Sequence, residues 1–167
     1  MVRKASLTTV ALIVLTTVFV AEKVLGDTPL EPVSETMFCS KGGLYCVHST
    51  ANPAHLDVFE KKNPEHVLWS REEFVIKGFL SDDGKAVVSC YGGLNLIPVE
   101  ATLDFLLVRV LRASGSAKEI RLSALYSDIH QLPHTDPHLE WGRCVGIEEG
   151  KVLLERANGT QWRSDKL

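Results

Sequence analysis

The chain is predicted to fold as a mainly β protein, a single antiparallel meander with one short helix. Three observations carry that prediction. Short runs rich in β-branched and aromatic residues recur between glycine-containing turn pairs. No stretch sustains three full turns of amphipathic helical period. All four cysteines follow an N-terminal export signal, as expected of a small disulfide-bonded domain.

The signal is read from three parts. Arg3 and Lys4 form a short basic start, residues 5–21 run uncharged, and Val24-Leu25-Gly26 puts small or moderate residues around a cleavage point. Cleavage after Gly26 leaves Asp27 first. The competing reading is a retained membrane anchor, since an uncharged run of this length lies at the lower limit for spanning a bilayer. Either way the chain is exported, and the expected location is secreted or periplasmic.

Removing Arg3, Lys4, Lys23 and Glu22 with the signal turns 18 basic and 21 acidic residues into 15 and 20, a net charge of −5. Such a balance speaks against nucleic acid as a partner, because binding it requires a basic face to neutralise phosphates. It speaks equally against docking on an anionic membrane surface once the signal is gone.

Along the chain, residues 27–36 read as a disordered leader with Pro29, Pro32, Glu31 and Glu35, and residues 37–167 as one β-rich domain. Strands are expected at 44–48, 55–59, 67–69, 73–80, 86–91, 103–112, 119–122, 139–147, 152–156 and 160–163. Asp83-Gly84 and Asn158-Gly159 are expected as tight hairpin turns, since Asp-Gly and Asn-Gly tolerate the left-handed conformations of type I′, with Glu149-Gly150 and Ser114-Gly115-Ser116 as further turns. Residues 122–131 form the helix candidate, with Ser123 as N-cap, Leu125, Ile129 and Leu132 near helical spacing, and Pro133 ending it. The segment 104–112 is apolar at most positions. That fits a central strand covered on both faces, or an edge offered to a protein partner.

Turn geometry also suggests a pairing for the cysteines. If Gly42-Gly43 make a two-residue turn, Ser40 faces Tyr45 and Cys39 faces Cys46, about 5.5 Å apart in a hydrogen-bonded pair. Cys90 and Cys144 are then left for the longer link. Four cysteines allow three connectivities, so the other two pairings stay open, and zinc is disfavoured by the spacing.

The run Phe79-Leu80-Ser81-Asp82-Asp83-Gly84-Lys85-Ala86-Val87-Val88 resembles the strand–turn–strand signature of β-propeller blades in uncharacterised exported bacterial proteins. Ser40-Lys41-Gly42-Gly43-Leu44-Tyr45 is a weaker echo of it, with Gly42 in place of the usual Asp. The resemblance implies blade-like sheets or a small sandwich and no particular activity. About ten strands are too few for a closed propeller, which takes roughly four or more blades of four strands.

No catalytic signature stands out. His130, His134 and His138 with Asp136 fall within nine residues and are the candidate metal ligands, though Pro133 and Pro137 break the helix that would align them. Asp82-Asp83-Gly84 lacks the further oxygen ligands and closing Glu of a calcium loop. Gly42-Gly43 and Gly92-Gly93 lack the ending of a phosphate loop. Trp69 and Trp141 are expected in the core, Trp162 is harder to place, and Asn158-Gly159-Thr160 is a glycosylation sequon only in a eukaryotic source. The expectation is therefore a non-enzymatic binding or structural module of the cell envelope or extracellular space, with no cofactor. The alternative is a metal-dependent enzyme or metal-binding protein using His130, His134 and His138.

Overall fold

Alternating burial along the strands sets the layers of this protein. The computed structural model describes residues 32–167; the expected signal, its expected cleavage point and residues 27–31 of the expected leader lie outside them. Among the described residues fourteen strands form four antiparallel sheets, and no barrel or propeller closes. No helix among them is long and apolar enough to cross a membrane.

The first sheet is a meander of β1 (Glu35–Cys39), β2 (Tyr45–Ala51), β3 (Ala54–Glu60) and β4 (Asn63–Arg71). β1 therefore takes in Glu35 and Thr36, the last two residues of the stretch read as leader. The central sheet has the order β5 (Lys77–Leu80), β6 (Ala86–Cys90), β8 (Leu106–Arg112), β9 (Ala117–Arg121). The last sheet is β12 (Gly142–Glu148), β13 (Lys151–Arg156) and β14 (Gln161–Lys166). A small sheet of β7 (Leu96–Pro98), β11 (His138–Glu140) and β10 (His134–Thr135) adds Ile97 and Leu139 to the core shared with the last sheet.

Because successive strand residues point to opposite faces, β6 feeds two cores at once. Val87 joins Leu111, Leu80 and the first-sheet residues Val47, Leu56 and Val58. Its neighbour Val88 joins Val108, Val110 and Ile120 against Val152, Leu154 and Trp141. The central sheet is the middle of three layers, which explains why β8 is apolar on both faces. β8 pairs with β6 on one side and β9 on the other, so it is not the free edge that the segment 104–112 offered as one reading.

Two disulfides are present, Cys39–Cys46 and Cys90–Cys144. The register places Cys39 opposite Cys46 as expected. Their Cα atoms are 3.9 Å apart, nearer than in a hydrogen-bonded pair, because it is the adjacent Ser40 whose N–H bonds to the Tyr45 carbonyl (2.9 Å). Cys90–Cys144 joins β6 to β12 and lies buried between the central and last sheets.

Two expectations need correction. The segment 122–131 is no continuous helix but two 3₁₀ turns, Leu122–Ala124 and Ile129–Gln131. Asp128 between them is extended, and its carboxylate accepts from the His130 N–H, offering the backbone a local partner in place of a helical one. Ser123 caps nothing; the residue at the N-cap is Arg121, without a side-chain bond. The apolar positions nevertheless face inward, with Leu122, Leu125 and Leu132 buried and Ile129 packed against the same core.

Turn type differs as well. At Asp83-Gly84 the Gly84 N–H bonds to the Ser81 carbonyl (2.9 Å), so Asp82 and Asp83 are the central residues of an ordinary turn and Gly84 follows at φ 70°. A Cβ on Gly84 would also press on the Tyr45 ring at 2.9 Å, so both the backbone and the packing demand glycine there. The same arrangement recurs after Ser40, Arg112 and Arg156, each accepting from a glycine three residues on. Among the described residues it is Glu149-Gly150, a pair without the Asn or Asp that signals such a turn, that has two successive left-handed residues, at φ 51° and 72°, the geometry of type I′.

Candidate functional site

The turns frame a cleft. Asp83 accepts from the Ser81 hydroxyl (2.6 Å) and from the Lys85 N–H (3.0 Å), which closes the turn on itself. The Ser81 hydroxyl in turn accepts from the Ala86 N–H at 2.9 Å. Hydrogen bonding by Ser81 holds the Asp83 carboxyl below its ordinary range; partial burial opposes the shift, and the Lys85 N–H and charge assist it. Two further bonds pin this turn to the first sheet. Asp82 accepts from the Gly42 N–H (2.7 Å), and Trp69 Nε1 donates to the Gly84 carbonyl (2.7 Å). The resulting frame is fixed at every polar corner.

Between this frame, the turn after Arg112, and the Glu149-Gly150 turn lies a cleft of about 550 Å³. Its walls come from the central and last sheets. Ala86, Ala113, Ile147 and Leu167 supply apolar surface, and the Leu167 N–H bonds to the Gly150 carbonyl at 2.7 Å, fastening that wall. Lys85, Arg112 and Lys166 supply positive charge, and Asp82, Asp83 and Glu149 negative. A volume of this size, with apolar lining and a few placed charges, is within the range of small-molecule sites. A second cleft of about 390 Å³, near the Cys39–Cys46 hairpin, shares Asp82 and Ile147 with it and adds Phe79, Val145 and Leu153.

The histidines do not converge. His134 lies opposite Leu139 and His138 opposite Thr135 on the β10–β11 ladder. Neighbouring rungs point to opposite faces, so these two imidazoles diverge. His130 belongs to the separate 3₁₀ turn. Among the described residues no group of three or more His, Cys, Asp or Glu side chains is placed to hold a metal ion. The spacing that made 130, 134 and 138 a candidate set belongs to a helix, and here the chain is a bent hairpin.

The aromatic residues serve the interior. Trp141 is fully buried and donates Nε1 to the Leu94 carbonyl (2.9 Å), while its own carbonyl accepts from the Tyr126 hydroxyl (2.7 Å). Burial pushes the Tyr126 phenol above its ordinary value. Trp162 is partly buried against the same core, and Trp69 packs on the other. Asn158 accepts from both the N–H and the hydroxyl of Thr160, so the sequon residues form a self-bonded exposed turn.

Sequence reasoning missed the cleft. Lys85, Arg112 and Lys166 are far apart in the chain, and no motif links them. The only local signal was the Ser81–Lys85 turn, whose side chains build one wall. Comparison of the chain with protein-family models, with curated proteins and with solved structures finds no match in any of the three.

Proposed function

We propose that this protein is an exported, non-enzymatic binding module whose ligand occupies the cleft framed by the turns after Ser81, Arg112 and Ile147. The observation that carries this reading is the cleft itself: about 550 Å³, open, apolar along its walls and framed by a turn whose polar groups are already bonded. A bonded frame costs little further ordering when a ligand enters, which favours affinity. The two disulfides support export, since such bonds persist in the oxidising space outside the cytoplasm.

Ala113 gives a clean test because it is exposed in the turn and lines the cleft. Ala113→Trp should fill the space without touching either core. Native mass spectrometry of protein taken from its own exported fraction, or incubated with envelope extract, should show a small ligand on the wild type that Ala113→Trp lacks. Identical spectra for the two proteins would remove the cleft from consideration. Export is checked separately by N-terminal sequencing of the processed chain, with Asp27 expected first.

A further inference from the structure

The geometry points to an amphipathic anion as the ligand class: a carboxylate, phosphate or sulfate head on a short aliphatic body. This inference rests on the reading that the cleft is the ligand site, and it adds the chemistry of what enters.

Side-chain charges around the cleft are equal in number, three cations against three carboxylates, but their engagement differs. Asp83 is held by the Ser81 hydroxyl and the Lys85 N–H, and Asp82 by the Gly42 N–H. Both are directed into the turn frame as hydrogen-bond acceptors. Glu149 is the one lining carboxylate without such a donor among the described residues. On the other side, none of Lys85, Arg112 and Lys166 makes an ion pair within 4.0 Å among the described residues, whereas Arg109, Lys118, Arg121, Arg143 and Arg163 each do. The guanidinium of Arg112 reaches only the Ser116 hydroxyl, at 3.5 Å. Three cations therefore line the cleft without an ion-pair partner among the described residues, in a chain whose mature part is net acidic. A guanidinium and an ammonium together suit a compact multi-oxygen head group.

The body of the ligand follows from the rest of the lining. Ala86, Ala113, Ile147 and Leu167 offer aliphatic surface with no aromatic ring, and no buried polar side chain waits for a partner there. Such a wall accepts an alkyl chain and offers a sugar ring no aromatic face to stack on.

The test uses the processed, disulfide-bonded chain and three probes below their micelle concentrations: decanoate, decyl phosphate and decyl sulfate, with decanol as the neutral control. Calorimetry should show saturable binding of at least one anion, about tenfold or more tighter than decanol, since one good charge-assisted bond is worth roughly that factor. Arg112→Gln and Lys166→Gln should each weaken the anion about three- to tenfold and leave decanol unchanged, while Arg112→Lys restores part of the loss. The tightest of the three anions identifies the head group. Decanol binding as tightly as every anion, or glutamine variants without effect, would overturn the anionic assignment while leaving the cleft as a site. Anion binding that survives Ala113→Trp places it elsewhere and overturns the proposal too. Binding of none of the four probes, with an extract-derived ligand still lost in Ala113→Trp, sinks the ligand class alone. If that variant retains the extract-derived ligand, the underlying reading falls with it.

Discussion

The central sheet is shared by two cores that are built differently. Toward the first sheet its buried contacts are aliphatic, Val47, Leu56, Val58 and Val75 against Leu80, Val87 and Leu111, with Phe38, Tyr45 and Trp69 partly buried against them. Toward the last sheet it meets a mixed set in which Trp141, Tyr126 and the Cys90–Cys144 bond sit among the aliphatics. The reason lies in what covers each face. A four-stranded meander covers the first face with regular strands whose backbone groups pair within the sheet. The last sheet has three strands, and irregular segments around Leu122–Ala124 and Ile129–Gln131 complete the cover. Irregular backbone brings polar groups into the interior that need partners. Tyr126 supplies two, donating to the Trp141 carbonyl and accepting from the Ala157 N–H (2.9 Å), and Arg156 Nε caps the Leu125 carbonyl. The first core is thus held mainly by aliphatic burial, with Trp69 Nε1 and the Ser49 hydroxyl as its polar ties, whereas the last core sets hydrogen-bonded aromatics and a disulfide among its buried residues.

The disulfides give the sharpest way to break that contrast. Replacing Cys90 and Cys144 together by Ala releases a link across 54 positions and should cost about 4 kcal/mol on chain-entropy grounds. The same change at Cys39 and Cys46 opens a loop of separation 7 within one hairpin and should cost about 2.5 kcal/mol. Denaturant unfolding would measure both, with midpoint and slope fitted together because releasing a link also expands the unfolded chain. Equal losses, or a larger one at the hairpin, would show that the covalent tie is not what distinguishes the two cores.

Val87 and Val88 sharpen it further, because they are consecutive on β6 and fully buried in different cores. Each Val→Ala change should cost about 2 kcal/mol from lost burial and the cavity left behind. The two share no packing partners, so the double variant should lose the sum to within about 0.5 kcal/mol. Unfolding should remain a single transition in all three variants, since neither core can lose the central sheet without the other. Two resolved transitions would mean that the layers fold as separate units.

Part of this architecture was legible before the structure. The run at 104–112, apolar on both faces, left two readings, a central strand covered on both sides or an edge for a partner, and β8 is the first of them. The hairpin spacing placed Cys39 opposite Cys46. Periodicity at Leu122, Leu125, Ile129 and Leu132 marked burial correctly but not the path of the backbone, because Asp128 competes for the N–H that a helix would use. Turn types were misjudged for a related reason: Asp-Gly was read as a pair, while the residue that sets the turn is Ser81, three positions before the glycine. The cleft was not legible at all. It arises where three turns from two sheets meet, and only the packing of those sheets brings Lys85, Arg112 and Lys166 to one opening.

The smallest effect belongs to the polar seam that fastens the central sheet to the first. Asp83 has its carboxyl pKa lowered in the folded protein, chiefly by the Ser81 hydroxyl. A depressed carboxylate contributes stability that is complete above its unfolded value, near 3.8, and disappears as pH falls through the folded value. Asp83→Asn mimics the protonated group, so it should cost under about 1 kcal/mol at neutral pH, the carboxylate being largely in water. The gap between variant and wild type should then close in acid, at and below the folded value. Because this turn is pinned to Gly42 and Trp69, faster amide exchange in the variant should appear in the first sheet and spare β12–β14. Uniform loss of protection across all three layers would show that the seam carries the stability of the whole stack, and the two cores would no longer be separable in the way their compositions suggest.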